Sequence, residues 1–143
     1  MHSPVRDLHD LQKEAQDFVR TLKPGRKATL VTLTGELGAG KTTFVQHIAK
    51  ALGVAETVTS PTFVLQKNYT LSNQLFTHLV HIDAYRLEKG EHLLALRFDE
   101  LMEDAATLIM LEWPERVSDV LPPPTVRITF VVNDDGTRDI SYD

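Results

Sequence analysis

One stretch constrains this chain more than any other: Gly35-Glu36-Leu37-Gly38-Ala39-Gly40-Lys41-Thr42-Thr43. It fits G-x-x-x-x-G-K-S/T, the phosphate-binding loop, which belongs between a strand and a helix. Both flanks are present. Residues 28–34 form a short, β-branched apolar run of the kind that makes a buried strand. Beyond the loop, Val45, Ile48 and Leu52 fall at helical spacing, and Gly53 supplies a stop. With glycine at about 7% of average composition, the bare pattern arises by chance in roughly one chain of this length in a few hundred.

The chemistry accounts for the residue types. Glycines let the backbone turn sharply and bring N–H groups against phosphate oxygens with no Cβ in the way. A helix starting near Gly40 points its positive dipole end at the same anion. Lys41 adds a point charge for the outer phosphates, and the Thr42 hydroxyl is a hard oxygen suited to Mg²⁺. Gly35, Glu36, Leu37, Gly38, Ala39, Gly40, Lys41, Thr42 and Thr43 are therefore the candidate nucleotide-binding residues, with a nucleotide and Mg²⁺ as the expected cofactors.

At 143 residues the chain has the length of one domain. That leaves little room for a separate substrate domain or lid. Its formal net charge of −5 argues against this surface alone gripping nucleic acid, which needs clustered positive charge. Cysteine is absent, so neither a disulfide framework nor a thiolate metal site is expected. No apolar signal core or membrane-length run appears, and a cytoplasmic protein without a membrane role is expected.

Along the chain, Leu8, Leu11, Ala15, Phe18, Val19 and Leu22 fit one face of a helix, capped by Ser3-Pro4 or Asp7 and ended by Pro24-Gly25. Its start could reach a nucleotide base. Ser60-Pro61-Thr62-Phe63 marks a loop. Residues 63–69 and 75–82 read as two strands around a turn-like Leu71-Ser72-Asn73-Gln74, and so as an antiparallel hairpin. Leu94, Phe98, Leu101 and Met102 give a second helical pattern, broken near Arg97. The apolar run 105–111 looks like a central strand covered on both faces. After the stiff connector Leu121-Pro122-Pro123-Pro124, residues Val126, Ile128, Phe130 and Val132 alternate as a strand. Asp135-Gly136 then turns the chain into a short edge strand over 138–142. The expected fold is α/β: a single P-loop NTPase-type domain over 1–143, with a mixed, mainly parallel central sheet flanked by helices.

A phosphate loop needs acids for its metal and for orienting water. Asp83 and Glu112 both end apolar strands, and in open α/β sheets ligands bind outside the carboxyl ends of strands. If both strands run parallel to the first, both acids arrive beside the loop. Thr62 lies where nucleotide switches carry a hydroxyl that meets phosphate or metal. His81 shares a strand face with Asp83, whereas His78 points to the other face. Trp113 abuts Glu112 and can stack near the site, at an interface or in the core.

These residues, in order, resemble the bacterial TsaE (YjeE) family. The resemblance is carried by the phosphate loop through Phe44, by Ser60-Pro61-Thr62-Phe63, by His81-Ile82-Asp83-Ala84-Tyr85-Arg86-Leu87, and by Leu111-Glu112-Trp113-Pro114-Glu115. It implies an ATPase that works with the TsaB and TsaD proteins, with TsaC upstream. Together they install threonylcarbamoyl on the adenosine next to the anticodon in tRNAs reading codons that begin with A, and tRNA is met indirectly through the partners. By position, it implies that Leu37 to Thr42 hold the phosphates and that Thr42 and Glu112 bind Mg²⁺. Asp83 becomes an essential acid, Ser60 to Thr62 a switch-like loop, and Trp113 a neighbour of the metal ligand that joins Gly35 to Thr43 in binding ATP/ADP. Lys41, Asp83, Thr62 and Glu112 are then the catalytic set. In one departure, Leu11 stands where family members often carry a threonine that helps hold the nucleotide. In another, Asp83-Ala84-Tyr85-Arg86 replaces the usual Asp-Leu-Tyr-Arg.

Three alternatives share the loop. A small P-loop kinase needs an acceptor pocket and usually a lid arginine, for which the chain is short. A GTPase usually carries an Asn-Lys-x-Asp loop, which is missing. A nucleotide-gated binding module would bind without turnover.

Overall fold

The computed structural model describes residues 2–55 and 66–143. The loop 60–63 and the first residues of the strand expected over 63–69 lie outside the described residues.

The elements are β1 (His2–Val5), α1 (Leu8–Thr21), β2 (Thr29–Thr34), α2 (Lys41–Ala51), β3 (Gln66–Thr70), β4 (His78–Asp83), α3 (Gly90–Leu94), α4 (Phe98–Met102), β5 (Thr107–Glu112), a 3₁₀ turn (Pro114–Arg116), β6 (Val126–Val132) and β7 (Arg138–Tyr142). The strands form one seven-stranded sheet in the order β1-β7-β6-β2-β5-β4-β3. β6, β2, β5 and β4 pair in parallel at the centre, and antiparallel pairings complete both margins. The result is a mixed α/β fold.

Each helix has a local reason to start and stop. Asp7 caps α1, its Oδ1 accepting from the Asp10 N–H at 2.8 Å. α2 ends as Gly53 takes a left-handed φ of 86°. The second helical pattern is two short helices rather than one. Arg97 adopts φ 61° and ψ 37° between α3 and α4, which breaks the ladder at the expected place.

The sheet has a core on each face. Val31 and Leu33 of β2, Leu79 of β4, and Leu108 and Met110 of β5 pack with α1 and α2. The alternate residues Leu30, Val80, Ile82, Ile109 and Leu111 pack with α3, α4 and Val117. Every residue of β5 is buried, as a strand covered on both faces requires. Phe44 ties the first core together, its ring centroid 6.1 Å from Phe18 and 5.5 Å from Phe130. Tyr142 joins β7 to α1, stacking on Phe18 and donating to Glu14 Oε1 at 2.7 Å. Burial, with the bond to Glu14 second, pushes its hydroxyl pKa up.

Two expectations need correction. β7 is not the edge strand, because β1 pairs with it antiparallel and takes that place. Ser3-Pro4 therefore belongs to β1, where proline is tolerated because an edge strand has one unpaired side. In addition, the strand expected over 75–82 begins only at His78 and runs to Asp83. The backbone of Leu71 bonds to the Thr77 carbonyl and closes the turn before it.

Phe44→Ala should lose about 3–5 kcal/mol of stability, the usual cost of emptying a fully buried aromatic site. Urea unfolding followed by circular dichroism measures it, with the midpoint shifting while the slope stays constant.

Candidate functional site

The loop between β2 and α2 is shaped by its glycines. Gly40, the residue before α2, has φ 104°, a conformation that a side chain would strain. A Cβ on Gly35 would sit 2.8 Å from the Phe130 carbonyl oxygen, so only glycine lets the loop leave β2 here. α2 has no side-chain cap, leaving its first-turn N–H groups for an anion.

Two carboxylates face this loop because of strand register. β4 and β5 run parallel to β2, and Asp83 pairs directly with Glu112. Both acids thus stand at the same end of the sheet. Thr42 Oγ1, on the first turn of α2, lies 2.9 Å from each oxygen of Glu112 and donates to that carboxylate. His81 Nε2 lies 2.6 Å from Glu112 Oε2, with His81 wholly buried and Glu112 nearly so. Asp83 is half-buried, and its Oδ1 accepts the Tyr85 N–H at 3.0 Å. Burial raises the Asp83 pKa above the usual carboxylate value. The Tyr85 bond opposes that shift, and the nearby Glu112 charge adds to it.

Lys41 is buried and donates to the Gly35 carbonyl. Its Nζ lies 3.6 Å from the centre of the Trp113 ring, a cation–π distance. Burial lowers its pKa, while Glu112, Glu115 and Asp83 pull the other way. Trp113 is held in an unusual backbone state, φ 61° and ψ 53°, immediately before Pro114. Its N–H bonds to the Leu33 carbonyl at 3.3 Å, and its ring packs 4.9 Å from Tyr85. A central strand, a strained residue and a proline thus aim an indole at the lysine.

These groups line a cleft of about 430 Å³. Leu37, Gly38, Gly40, Lys41, Thr42 and Thr43 form its floor, with Asp83, Glu112, Trp113 and Tyr85 on one side. Val5, Asp7, Leu8 and Leu11 form the opposite wall, so the start of α1 does reach the cleft. Three loop residues contribute no lining side chain. Glu36 is exposed, Ala39 is packed in the core and Gly35 lies against Phe130. Thr62 falls outside the described residues. His78 sits on the other face of β4 and bonds to Thr77 Oγ1.

Arg138 is the site residue that sequence reasoning missed. From β7 its Nη2 donates to the Gly38 carbonyl at 3.1 Å and its Nη1 to Gly136 O at 3.3 Å. A Cβ on Gly40 would lie 3.8 Å from the Arg138 side chain. Nothing local marks an arginine as the partner of a loop 100 residues earlier in the chain.

Chemically, the cleft offers hard oxygen donors from Thr42 and Glu112 beside backbone N–H groups and a lysine. Among the described residues no cluster of three or more histidine or acidic side chains could cage a metal. A donor set this small suits Mg²⁺, which is usually held by one or two carboxylates plus substrate phosphates.

Residues 5–140 match the family model described as threonylcarbamoyl adenosine biosynthesis protein TsaE. The chain belongs to the TsaE family. It is 38% identical to the tRNA threonylcarbamoyladenosine biosynthesis protein TsaE of Treponema pallidum, over 99% of this chain and 98% of that protein. It is 37% identical to the protein of the same name from Rickettsia felis, over 94% of this chain and 74% of that one. The crystal structure of YdiB from Bacillus subtilis is similar with a TM-score of 0.79 and 25% identity, covering 99% of this chain and 83% of that one. The TsaE match takes in Val5 and Arg138 as well as the loop and both acids, so it spans the whole cleft wall. Among the described residues no helix is long and apolar enough to cross a membrane.

Two outcomes follow from this geometry. A carboxyl with a raised pKa stabilises the fold below its unfolded-state value, and that contribution is lost as pH rises through the folded value. Asp83→Asn should therefore be slightly more stable than the native chain at neutral pH, by less than about 1 kcal/mol after solvent screening. Thermal melts at neutral pH and below the unfolded carboxylate pKa should show the gain only at the higher pH. Arg138→Ala should lose about 0.5–1.5 kcal/mol and expose the loop amides of residues 38–40 to faster hydrogen exchange.

Proposed function

We propose that this TsaE-family chain is a single P-loop ATPase domain over residues 1–143. In this reading it hydrolyses ATP in a Mg²⁺-dependent way and supports threonylcarbamoyl modification of tRNA. The observation that supports this best is the seat of Thr42, its hydroxyl 2.9 Å from both oxygens of Glu112 at the head of the glycine loop. A threonine that donates its proton to a carboxylate keeps its lone pairs for a cation, the arrangement phosphoryl transfer needs.

The roles divide by position. The loop amides of residues 37–42 and the Lys41 ammonium hold the phosphates. Thr42 and Glu112 hold Mg²⁺, which neutralises charge on the phosphate oxygens when bound. Asp83, beside Glu112 and with its pKa raised by burial, is suited to orient or deprotonate water. Thr62 is proposed as the switch hydroxyl, and Trp113 as the wall that keeps Lys41 dry and aimed.

The wider role follows the family. With a net charge of −5, the chain is a poor grip for tRNA, so TsaB and TsaD are proposed as the protein partners through which it reaches the RNA. A cytoplasmic setting goes with that role.

Lys41→Ala should abolish tight ATP binding in calorimetry, and unchanged affinity would sink the assignment of the loop. Glu112→Ala should spare folding but weaken the Mg²⁺ dependence of binding by about tenfold or more. ATP turnover should rise when TsaB, TsaD and tRNA are added. No stimulation and no complex would remove the proposed role while leaving the nucleotide site intact. An ADP-coupled screen of nucleosides and sugars would reveal a kinase instead.

A further inference from the structure

His81 is difficult to explain as core. It is wholly buried on the face of β4 that also carries Leu79, beside Met110 of β5. An aliphatic side chain would fill that space without burying two ring nitrogens. Nδ1 is buried with no hydrogen-bond partner among the described residues, whereas Nε2 lies 2.6 Å from Glu112 Oε2. A carboxylate only accepts, so the proton in this bond is assigned to Nε2.

Glu112 needs such a donor. The terminal torsion of a glutamate is soft and two-fold. The Thr42 hydroxyl lies 2.9 Å from both oxygens and does not distinguish them. His81 does, because it bonds Oε2 alone. Among the described residues, Oε1 keeps the Thr42 hydroxyl alone. The ring cannot easily move, since strand register sets His81 opposite Met110 and Asp83 opposite Glu112.

We propose that His81 is a positioning residue that locks the Glu112 carboxylate by an Nε2–H···Oε2 bond, so that Glu112 and Thr42 present a preset pair of oxygens to Mg²⁺. The proposal rests on the Mg²⁺ site described above. It assigns His81 no contact with metal or nucleotide. Outer-shell partners of metal ligands of this kind commonly set metal affinity by ten- to a hundredfold.

Trp113 provides the readout, being the only tryptophan and lining the cleft. MgCl₂ would be titrated into the full chain with a non-hydrolysable ATP analogue, following Trp113 fluorescence. The analogue's affinity in EDTA would be measured alongside. His81→Leu should raise the Mg²⁺ concentration for half-saturation about tenfold or more while leaving the EDTA affinity within about twofold. His81→Gln, whose amide N–H can take the place of Nε2–H, should restore most of the loss. If His81→Leu does not fold, His81→Asn, too short to reach Oε2, takes its place. A double-mutant cycle separates positioning from general damage. In a Glu112→Ala background the His81 substitution should no longer change Mg²⁺ half-saturation. Wild-type Mg²⁺ affinity in His81→Leu or His81→Asn, or a loss that persists in the Glu112→Ala background, would overturn the proposal while leaving the Mg²⁺ site standing. Mg²⁺-independent binding by the native chain would overturn both.

Discussion

A carboxylate buried at the end of a central strand governs the geometry of this protein. Glu112 is 2% exposed, and a charge so placed is tolerable only with well-formed hydrogen bonds. Its partners come from two other elements, Thr42 from the start of α2 and His81 from β4. Satisfying one acid therefore links three elements: the helix after the glycine loop, the central strand and its neighbour. The same bonds place a hydroxyl and a carboxylate oxygen side by side at the cleft floor. What stabilises the buried charge also prepares the site.

Around that acid, strained and cationic groups are held by rigid parts. Trp113 takes a left-handed backbone state between the end of β5 and Pro114, and its indole lies against Lys41. Arg138 reaches from the far hairpin to the loop carbonyl at Gly38. Apolar residues of β1 and α1 close the opposite side. The cleft is thus assembled from both ends of the chain over a sheet whose parallel centre points its carboxyl ends at one place. This is the arrangement in which open α/β sheets bind ligands.

Much of this was legible beforehand, for local reasons. The glycine loop and its flanks carry their own geometry, since left-handed turns demand glycine and helices demand apolar spacing. The burial of β5 follows from its unbroken apolar run. The break at Arg97 and the Asp7 cap are also short-range effects. β1 was not legible. Four residues containing a proline carry little pattern, and their pairing depends on a hairpin formed by the last strands. Arg138 was invisible for the same reason, because its partner is far away in sequence. His81 could be put on the face of Asp83 by counting, but its bond to Glu112 could not.

The sequence alone determined which groups are available: a glycine-rich loop between strand and helix, acids at two strand ends, one tryptophan beside the second acid, and the ordered blocks that resemble TsaE. Those follow from residue type and spacing along the chain. Tertiary structure decided which of the groups meet. Parallel pairing of β2, β5 and β4 brought Asp83 level with Glu112, and the descent of α2 onto that edge brought Thr42 to the carboxylate. Closure of the sheet by β7 and β1 supplied Arg138 and the apolar wall. The physical reason is register. A one-residue slip in a strand turns every side chain to the other face, and only the folded sheet, with its two packed cores, specifies the register that points these groups into one cleft.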